Sequence, residues 1–364
     1  MKFRCERDTL GEVLTVTGRA TSTRGGAPAI YGCLRMVLTG NQLTVTGTDL
    51  DMTITAHVTV AGDEDGESLI PAKLAADIVR ALDPGAVDLS TDGGEATISQ
   101  DRSQFSVNLM PTEEFLQTPE PSAPSVVIDA AAFAEGLKQV VKAASNDESR
   151  PVLTGVLLAA EDGGLRLVAT DSYRLAVRDL PGVTALSSDE RVLVPSRALK
   201  EVERLLGSAE ELTLTLGDRD AVFGVGDVRL STRLLEDKFP DYRNLIPSLQ
   251  PNRALVGREE LVEAAKRVKL MAKDGEHVRL HLESDTIRLE AVAREVGRAG
   301  AAVDAKYEGD EMTVGFNPDY LIDGLEVAPG DEVSIEVVEA QKPALIRSTE
   351  SSDFLYLLMP VRIS

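Results

Sequence analysis

The residues Leu69-Ile70-Pro71-Ala72-Lys73-Leu74 carry an apolar, strand-like run through a proline into a helix-like run. The same passage recurs as Leu193-Val194-Pro195-Ser196-Arg197-Ala198 and as Phe316-Asn317-Pro318-Asp319-Tyr320-Leu321. From Pro71 to Pro195 is 124 residues, and from Pro195 to Pro318 is 123. Proline suits the first position of a helix, because its missing N–H would be unpaired there and its φ is already helical. Two further marks keep the period. Leu109-Met110-Pro111, Lys238-Phe239-Pro240 and Leu358-Met359-Pro360 close successive units, and Thr48-Asp49 returns as Thr170-Asp171, 122 residues on. Self-similarity at one spacing is the mark of a repeated fold. The chain therefore reads as three copies of one αβ unit.

Linkers fall where this phasing requires them, at Pro119-Glu120-Pro121-Ser122-Ala123-Pro124 and at Pro247-Ser248-Leu249-Gln250-Pro251. They set domains at 1–120, 126–247 and 253–364. In each copy an opening strand leads to a first helix, seen in Leu10 to Gly18, Phe133 to Ala144 and Leu261 to Met271. Alternating runs such as Leu43-Thr44-Val45-Thr46, Leu165-Arg166-Leu167-Val168 and Ile287-Arg288-Leu289-Glu290 read as strands with one buried face. The second helix begins at the proline. The expected class is α+β, two helices on antiparallel sheet, three times over.

A chain of 364 residues with 43% hydrophobic but only 4% aromatic residues and no Trp builds its cores from Leu, Val, Ile and Ala. No run approaches the ~18 apolar residues of a membrane span, and Met1 to Arg7 is charged and strand-like rather than a signal peptide. The expectation is a cytoplasmic protein with no membrane partner. Cys5 and Cys33 form no CxxC, and His57, His277 and His281 have no ligand-like neighbours, so no metal or cofactor is expected. No phosphate loop of the GxxxxGK[ST] type occurs, and Asp49-Leu50-Asp51 reads more simply as a turn than as a catalytic carboxylate pair. Intrinsic catalysis is not expected. A net charge of −22 argues against a surface that grips phosphates everywhere, so any nucleic-acid contact must be local.

Basic side chains gather on the repeated helices. Arg197, Lys200 and Arg204 stand at i, i+3 and i+7 on one helix face, and Lys73 and Arg80 repeat the outer pair in copy one. First helices add Arg19, then Lys138 and Lys142, then Lys266, Arg267, Lys269 and Lys273. Copy three's second helix departs from the pattern, with Asp319 and Asp323 and no Lys or Arg. A solvated helix face explains any one of these pairs, and their repetition favours a basic lining.

The three tandem copies, the segment Ala169-Thr170-Asp171-Ser172-Tyr173-Arg174-Leu175-Ala176-Val177, the segment Phe239-Pro240-Asp241-Tyr242-Arg243 and the terminal Leu358-Met359-Pro360-Val361-Arg362 together resemble the bacterial DNA polymerase III beta subunit family, the sliding clamps. The resemblance covers the whole chain. It implies a head-to-tail homodimer closed into a ring, helices inside and sheets outside, which encircles double-stranded DNA without reading its sequence and tethers the replicative polymerase, the clamp loader and other proteins with clamp-binding motifs. Geometry agrees with two chains. Packed helices lie ~8–10 Å apart, so six would enclose a circle only about 17 Å across and twelve one of about 35 Å. Only the larger admits a duplex with room for water. Retention by topology also removes the need for high affinity, which suits an acidic protein. A repeated interaction scaffold that does not encircle DNA is the alternative; it needs no closed ring.

Residues shared by the copies are fold, and residues found once are candidates for function. Ser172, Tyr173, Arg174 and Leu175 face Leu50, Asp51, Met52 and Thr53 in copy one, and Tyr242-Arg243-Asn244-Leu245 has no equivalent after Pro111. Both single-copy features lie in copy two. The resemblance makes them part of a pocket for short peptides, formed by Leu153, Thr170, Tyr173, Arg174, Leu175, Pro240, Asn244, Leu245, Leu357, Met359, Pro360, Val361 and Arg362, with Ser172 on the rim and Pro343 beside it. Met adapts to several partners, and Arg174 and Arg362 are expected to hold the polar parts of the peptide. Ser172-Tyr173 stands where Gly-His is common in the family, and Ser364 extends beyond its usual ending. The resemblance further implies Arg24 and Arg150 as DNA contacts, and Arg102 and Phe105 of copy one with Leu270 and Met271 of copy three as the dimer interface.

Overall fold

The computed structural model describes residues 1–22, 28–113, 115, 123–161, 163–187, 190–248, 250–272, 277–293 and 297–363, and these hold six α-helices, two from each copy. They are α1 (Arg7–Gly18), α2 (Ala72–Ala81), α3 (Ala130–Val140), α4 (Ser196–Leu206), α5 (Arg258–Lys269) and α6 (Pro318–Val327). The odd-numbered helices follow the opening strands and the even-numbered ones follow the prolines. The prolines do not all act alike. Pro318 is the first residue of α6, where Asn317 caps the helix by accepting from the N–H groups of Asp319 and Tyr320 at 2.9 and 3.2 Å. Pro71 and Pro195 instead close the strands Gly66–Pro71 and Arg191–Pro195, one residue before α2 and α4. A proline ends a strand cheaply because no ladder donor is lost beyond it. Only copy three supplies an Asn cap that lets the helix begin on the proline itself.

The recurring Thr-Asp pair is one turn built twice. In copy one, Asp49 Oδ1 accepts from the N–H groups of Asp51 and Met52 at 3.2 and 2.9 Å, and Leu50 N–H donates to Thr48 Oγ1 at 3.1 Å. In copy two, Asp171 Oδ1 accepts from Tyr173 and Arg174 at 2.9 and 3.0 Å, and Ser172 N–H donates to Thr170 Oγ1 at 3.2 Å. Asp49-Leu50-Asp51 is thus a turn, as its residues suggest. The turn drives its third residue into left-handed backbone, with φ of 78° at Leu50 and 80° at Ser172. Side chains pay of order 1–2 kcal/mol to stand there, and glycine does not. Leu50 is 42% exposed, so little packing is lost on its removal. Leu50→Gly is expected to stabilise the protein by about 1 kcal/mol and to raise the melting temperature by roughly 2 °C; a melting temperature that is unchanged or lower would show that the turn carries no such strain.

The chain resolves into two compact units, Met1–Ala131 with Glu201–Leu234, and Ala132–Lys200 with Leu235–Ser364. The border falls inside α3 and α4, so copy two is divided between the units. In the first unit a five-stranded antiparallel sheet runs in the order Ala61–Glu64, Lys2–Glu6, Ala86–Asp92, Glu95–Gln100, Ser103–Asn108. An eight-stranded sheet runs Ser125–Asp129, Glu211–Leu216, Asp220–Val225, Val228–Arg233, Met52–Thr59, Gln42–Thr48, Cys33–Thr39, Gly66–Pro71. Between them lies a core that includes Phe3, Leu10, Leu14, Leu34, Met36, Ile70, Val79, Leu89 and Ile98, to which α1 gives Leu10 and Leu14 and α2 gives Ile78 and Val79.

The second unit is built on a twelve-stranded sheet. Its order is Arg191–Pro195, Gly155–Glu161, Gly164–Thr170, Arg174–Pro181, Phe354–Leu358, Ala344–Ser348, Glu332–Val337, Asn252–Gly257, Gly297–Glu308, Thr286–Ala293, Val278–Glu283, Met312–Phe316. Sheets therefore run across the copies. In the first unit Val228–Arg233 of copy two pairs with Met52–Thr59 of copy one, Ser231 opposite Thr53. In the second, Phe354–Leu358 of copy three pairs with Arg174–Pro181 of copy two, Leu357 opposite Leu175.

These two junctions share one register. Counted through the ladders from the residue before each first helix (Glu6, Asp129, Gly257), Ser106, Ser231 and Leu357 occupy equivalent places. On the other side Thr53, Leu175 and Arg298 are equivalent, since each pairs within its hairpin to an equivalent residue, Thr48, Thr170 and Val292. Ser231 meets Thr53 and Leu357 meets Leu175. Their third counterparts, Ser106 and Arg298, lie on strands that the described residues leave unpaired along that edge: Ser103–Asn108 ends its sheet, and residues 297–304 pair only with Thr286–Ala293.

Candidate functional site: an apolar cluster, its exposed flank and two basic faces

All the single-copy residues belong to the second unit. The antiparallel strands Arg174–Pro181, Phe354–Leu358 and Ala344–Ser348 set Leu175, Leu357 and Leu345 side by side, because Leu357 is opposite both Leu175 and Leu345. These three join Leu157, Val177, Leu193, Leu355, Phe239 and Tyr242 in one buried cluster, with Val152, Leu235 and Ile246 packed against it. Leu153, in the 3₁₀ turn Pro151–Thr154, is also buried. Flanking this floor in the chain are apolar side chains that face solvent: Tyr173, Leu245, Met359 and Val361. Pro240, Asn244 and Arg362 are exposed, while Pro343 and Pro360 are half-buried. The tail is tied down by backbone bonds, Met359 N–H to the Tyr173 carbonyl and Val361 N–H to the Gly315 carbonyl, both 2.8 Å.

Thr170 and Arg174 take structural positions. Thr170 Oγ1 donates to the Arg174 carbonyl at 2.6 Å inside the turn. Arg174 is only 9% exposed, and its guanidinium is committed within the protein. Its Nε meets Asp171 Oδ2 at 3.0 Å, and its Nη1 meets Asp323 Oδ2 at 2.7 Å and the Tyr356 hydroxyl at 3.4 Å. Burial works against the charge, but Tyr356, Asp323 and Asp171 outweigh it and hold the group above its ordinary pKa. Burial likewise pushes the Tyr356 phenol well up. Gly324 admits Tyr356 against α6, since a Cβ there would lie 2.5 Å from its ring. The Arg174 Cζ also sits 4.3 Å from the centre of the Tyr320 ring, and Tyr320 stacks on Tyr173 with centroids 6.4 Å apart and planes 27° from parallel. Sequence reasoning missed Tyr320, Tyr356 and Leu345. Asp323 was visible as an oddity without an assigned partner.

The wall after Phe239 is held by a second ionic group. Arg166 binds Asp179 through Nε and Nη2 at 2.5 and 2.8 Å and binds Glu161 through Nη1 at 2.5 Å. Glu161 in turn bonds Arg243 and accepts from the Tyr242 hydroxyl at 3.4 Å. Burial alone would raise the Glu161 pKa, but Arg243 and Arg166 hold it below the usual carboxylate value.

The basic residues fall into two settings. In the first unit Arg19, Arg80 and Arg204 line one groove of about 400 Å³ with Arg7, which sequence reasoning missed. Arg204 and Arg80 each pair along their own helix, with Glu201 at 2.5 Å and Asp77 at 3.1 Å, and Lys73 meets Asp77 at 2.8 Å. In the second unit α6 supplies the counter-charge. Its Asp323 and Glu326 lie 3.4 and 3.5 Å from Lys142, Glu326 lies 3.2 Å from Lys266, and Asp319 pairs with Lys269. The acids that make copy three's second helix exceptional thus neutralise three of the expected DNA-facing lysines. Exposed pairs of this kind are worth roughly 0–1 kcal/mol, so a phosphate could replace them. Lys138, Arg197 and Arg267 are exposed and Lys200 is half-buried. Arg150 pairs with Asp147 at 3.0 Å and donates to Ser172 Oγ at 3.2 Å, which places it at the Thr170–Arg174 turn. Arg24 and Lys273 lie outside the described residues.

Of the expected dimer residues, Phe105 stands on one of the edges left unpaired among the described residues and Met271 beside the start of the other. Phe105 is exposed on Ser103–Asn108, and Arg102 is in the turn before it. Leu270 is 85% exposed, and Met271 Cε lies 3.4 Å from where a Gly297 Cβ would be, at the start of the other open strand. Among the described residues no group of three or more His, Cys, Asp or Glu could hold a metal ion, and no helix is long and apolar enough to cross a membrane.

Three two-helix units that share sheets in one recurring register define a DNA-clamp fold. Family models of the DNA polymerase III beta subunit match the chain in order, the N-terminal domain at residues 1–119, the central domain at 127–241 and the C-terminal domain at 243–362. The beta sliding clamp of Streptomyces coelicolor is 34% identical over 381 residues, and that of Bacillus subtilis 27% over 377, each alignment covering 100% of both chains. A sliding clamp from Bartonella birtlesii, solved bound to griselimycin, matches with a TM-score of 0.94 at 28% identity over 100% of both chains. The chain belongs to the DNA polymerase III beta subunit family, the beta sliding clamps.

Proposed function

We propose that two copies of this chain close into a ring around duplex DNA and that the pocket in the second unit tethers the replicative polymerase, the clamp loader and other proteins by short peptides. The observation that carries the ring is the repeated junction. One antiparallel register joins copy two to copy one and copy three to copy two, and among the described residues its third pair of edges is left unpaired. Continuing the register sets Ser106 opposite Arg298 and Phe105 opposite Ala299 of a second copy. Such a head-to-tail contact, made twice, closes a dimer. Leu270 and Met271 would cover the end of the ladder beside Phe105. The domains of the working protein are 1–120, 126–247 and 253–364, it acts in the cytoplasm, and it serves the polymerase without catalysis of its own.

DNA is held by topology, so its contacts need only centre the backbone. The Arg7, Arg19, Arg80 and Arg204 groove supplies these in the first unit, and Lys142, Lys266 and Lys269 exchange α6 carboxylates for phosphates in the second. Clamps loaded on nicked circular DNA should remain bound through a high-salt wash and leave once the circle is cut to a linear form. Equal retention on both forms would rule out encirclement. For the pocket, Met359→Ala should weaken binding of a polymerase-derived peptide about tenfold, because it removes an exposed apolar wall; unchanged affinity would remove Met359 from the site.

A further inference from the structure

We propose that the outer edge of the strand Ser125–Asp129 takes up an extended segment of a partner protein as an added antiparallel strand, basic at its N-terminal end and apolar or β-branched opposite Val127. This edge belongs to the first unit and the pocket to the second. The three copies supply the comparison. Counted back from Glu6, Asp129 and Gly257, the residues Lys2, Ser125 and Arg253 are equivalent, and so are Arg4, Val127 and Leu255. In copies one and three a later strand of the chain covers this edge. Ala61–Glu64 lies along Lys2–Glu6, with Lys2 opposite Glu64 and Arg4 opposite Ala61. The end of Gly297–Glu308 lies along Asn252–Gly257, with Arg253 opposite Glu308 and Leu255 opposite Lys306. In copy two Ser125–Asp129 ends the eight-stranded sheet, and the described residues leave its outer side unpaired. The described residues after Arg174–Pro181 bond locally instead, Val183 N–H to the Leu180 carbonyl at 3.4 Å and Ser187 N–H to Glu190 Oε2 at 2.8 Å.

Backbone direction and charge decide what fits there. Ala130 N–H donates to the Glu210 carbonyl at 3.0 Å on the paired side, so by alternation the N–H and C=O groups of Ser125 and Val127 point to the outer side. Arg7 and Arg258 bond in the same sense at 2.8 Å, and there the corresponding outer groups face the covering strand. An incoming strand meets a ready ladder, which is how a sheet edge binds an extended peptide. Val127 is 57% exposed and lies opposite exposed Thr213, so an apolar or β-branched residue set beside it gains contact area. The covering strands in copies one and three carry acid to a basic residue: Lys2 Nζ lies 2.6 Å from Asp63 Oδ2, and Arg253 stands opposite Glu308. Copy two has Ser125 at that place. Its charge lies at the other end of the strand, where exposed Asp129 faces exposed Glu211 and exposed Glu210 precedes it. An antiparallel partner brings its N-terminal end there, and lysine or arginine at that end complements the carboxylates.

The test uses the full-length protein and a short labelled peptide of alternating valine and threonine with lysines at its N-terminal end, read by fluorescence anisotropy and amide hydrogen exchange. In the free chain the Val127 amide should exchange fast while those of Arg4 and Leu255 are protected, and the peptide should slow Val127 exchange about tenfold or more. Val127→Pro removes the outward donor and leaves the ladder to Glu211–Leu216 intact, so it should weaken the peptide about tenfold. Val127→Lys keeps the backbone and should weaken it by a similar factor through charge. Glutamates in place of the peptide's lysines should cost about three- to tenfold at low salt. The edge site is overturned if the peptide does not bind, if both Val127 variants bind it like the parent, or if the lysine and glutamate peptides bind equally. Protection of Val127 in the free chain would overturn it too, making another segment of the chain the occupant, or a second copy if that protection rises with protein concentration.

Discussion

Leu270→Asp is expected to break the ring in solution. Leu270 is 85% exposed in the single chain, so its loss costs the monomer little. Burying a leucine in a junction contributes about 1.5–3 kcal/mol, and a closed dimer has two equivalent junctions, so the variant loses that term twice. Dimer dissociation should rise on the order of 10²–10⁴-fold, before the cost of desolvating the new carboxylate. Light scattering at micromolar concentration should then find the mass of one 39.0 kDa chain, where the parent is expected to give twice that mass. Circular dichroism should be unchanged. A variant that remains dimeric at the parent's concentration would place Leu270 outside the junction.

Arg174→Met should act on the fold itself, by a different cause. The substitution leaves Asp171, itself 7% exposed, without its guanidinium partner, and frees Asp323 and the Tyr320 ring together. Removing one partner of a buried ionic group costs about 3–5 kcal/mol, chiefly because the stranded charge stays buried. The second unit should therefore unfold at lower denaturant, and peptide affinity should fall at least tenfold as the Tyr173–Tyr320 corner loosens. Adding Asp171→Asn and Asp323→Asn to the same chain removes the stranded charges and should recover part of the stability but not the peptide affinity. Loss of affinity with no change in stability would mean that Arg174 touches the peptide directly, as its position in the family motif implies.

The contrast between these residues explains how far the sequence could be read. Period and punctuation reveal what is local: the prolines at the starts of α2, α4 and α6, the Thr-Asp turn and the alternating strands all follow from neighbours a few residues apart. Leu175 and Leu357 of the buried apolar cluster were legible for the same reason, since they lie in marked segments. What joins distant segments was not. Asp323 is 149 residues from Arg174 and 181 from Lys142, and nothing in either segment announces the pairing. Arg174 consequently reads as a peptide contact, whereas the fold commits it inward. Arg150 reads as a DNA contact, and the fold sets it on Ser172. The shared sheets were hidden likewise, because a strand's sequence shows which face is buried and not which copy supplies its neighbour. Ser172 itself was legible only as a departure from the family's glycine; its φ of 80° gives the physical reason for that preference.

Closure is the point on which the function turns, and an image of the particle tests it most directly. Negative-stain micrographs of the purified chain should show closed rings of two chains with a bore wide enough for duplex DNA and six modules around the rim. Single three-module crescents, or open chains that lengthen with concentration, would contradict it.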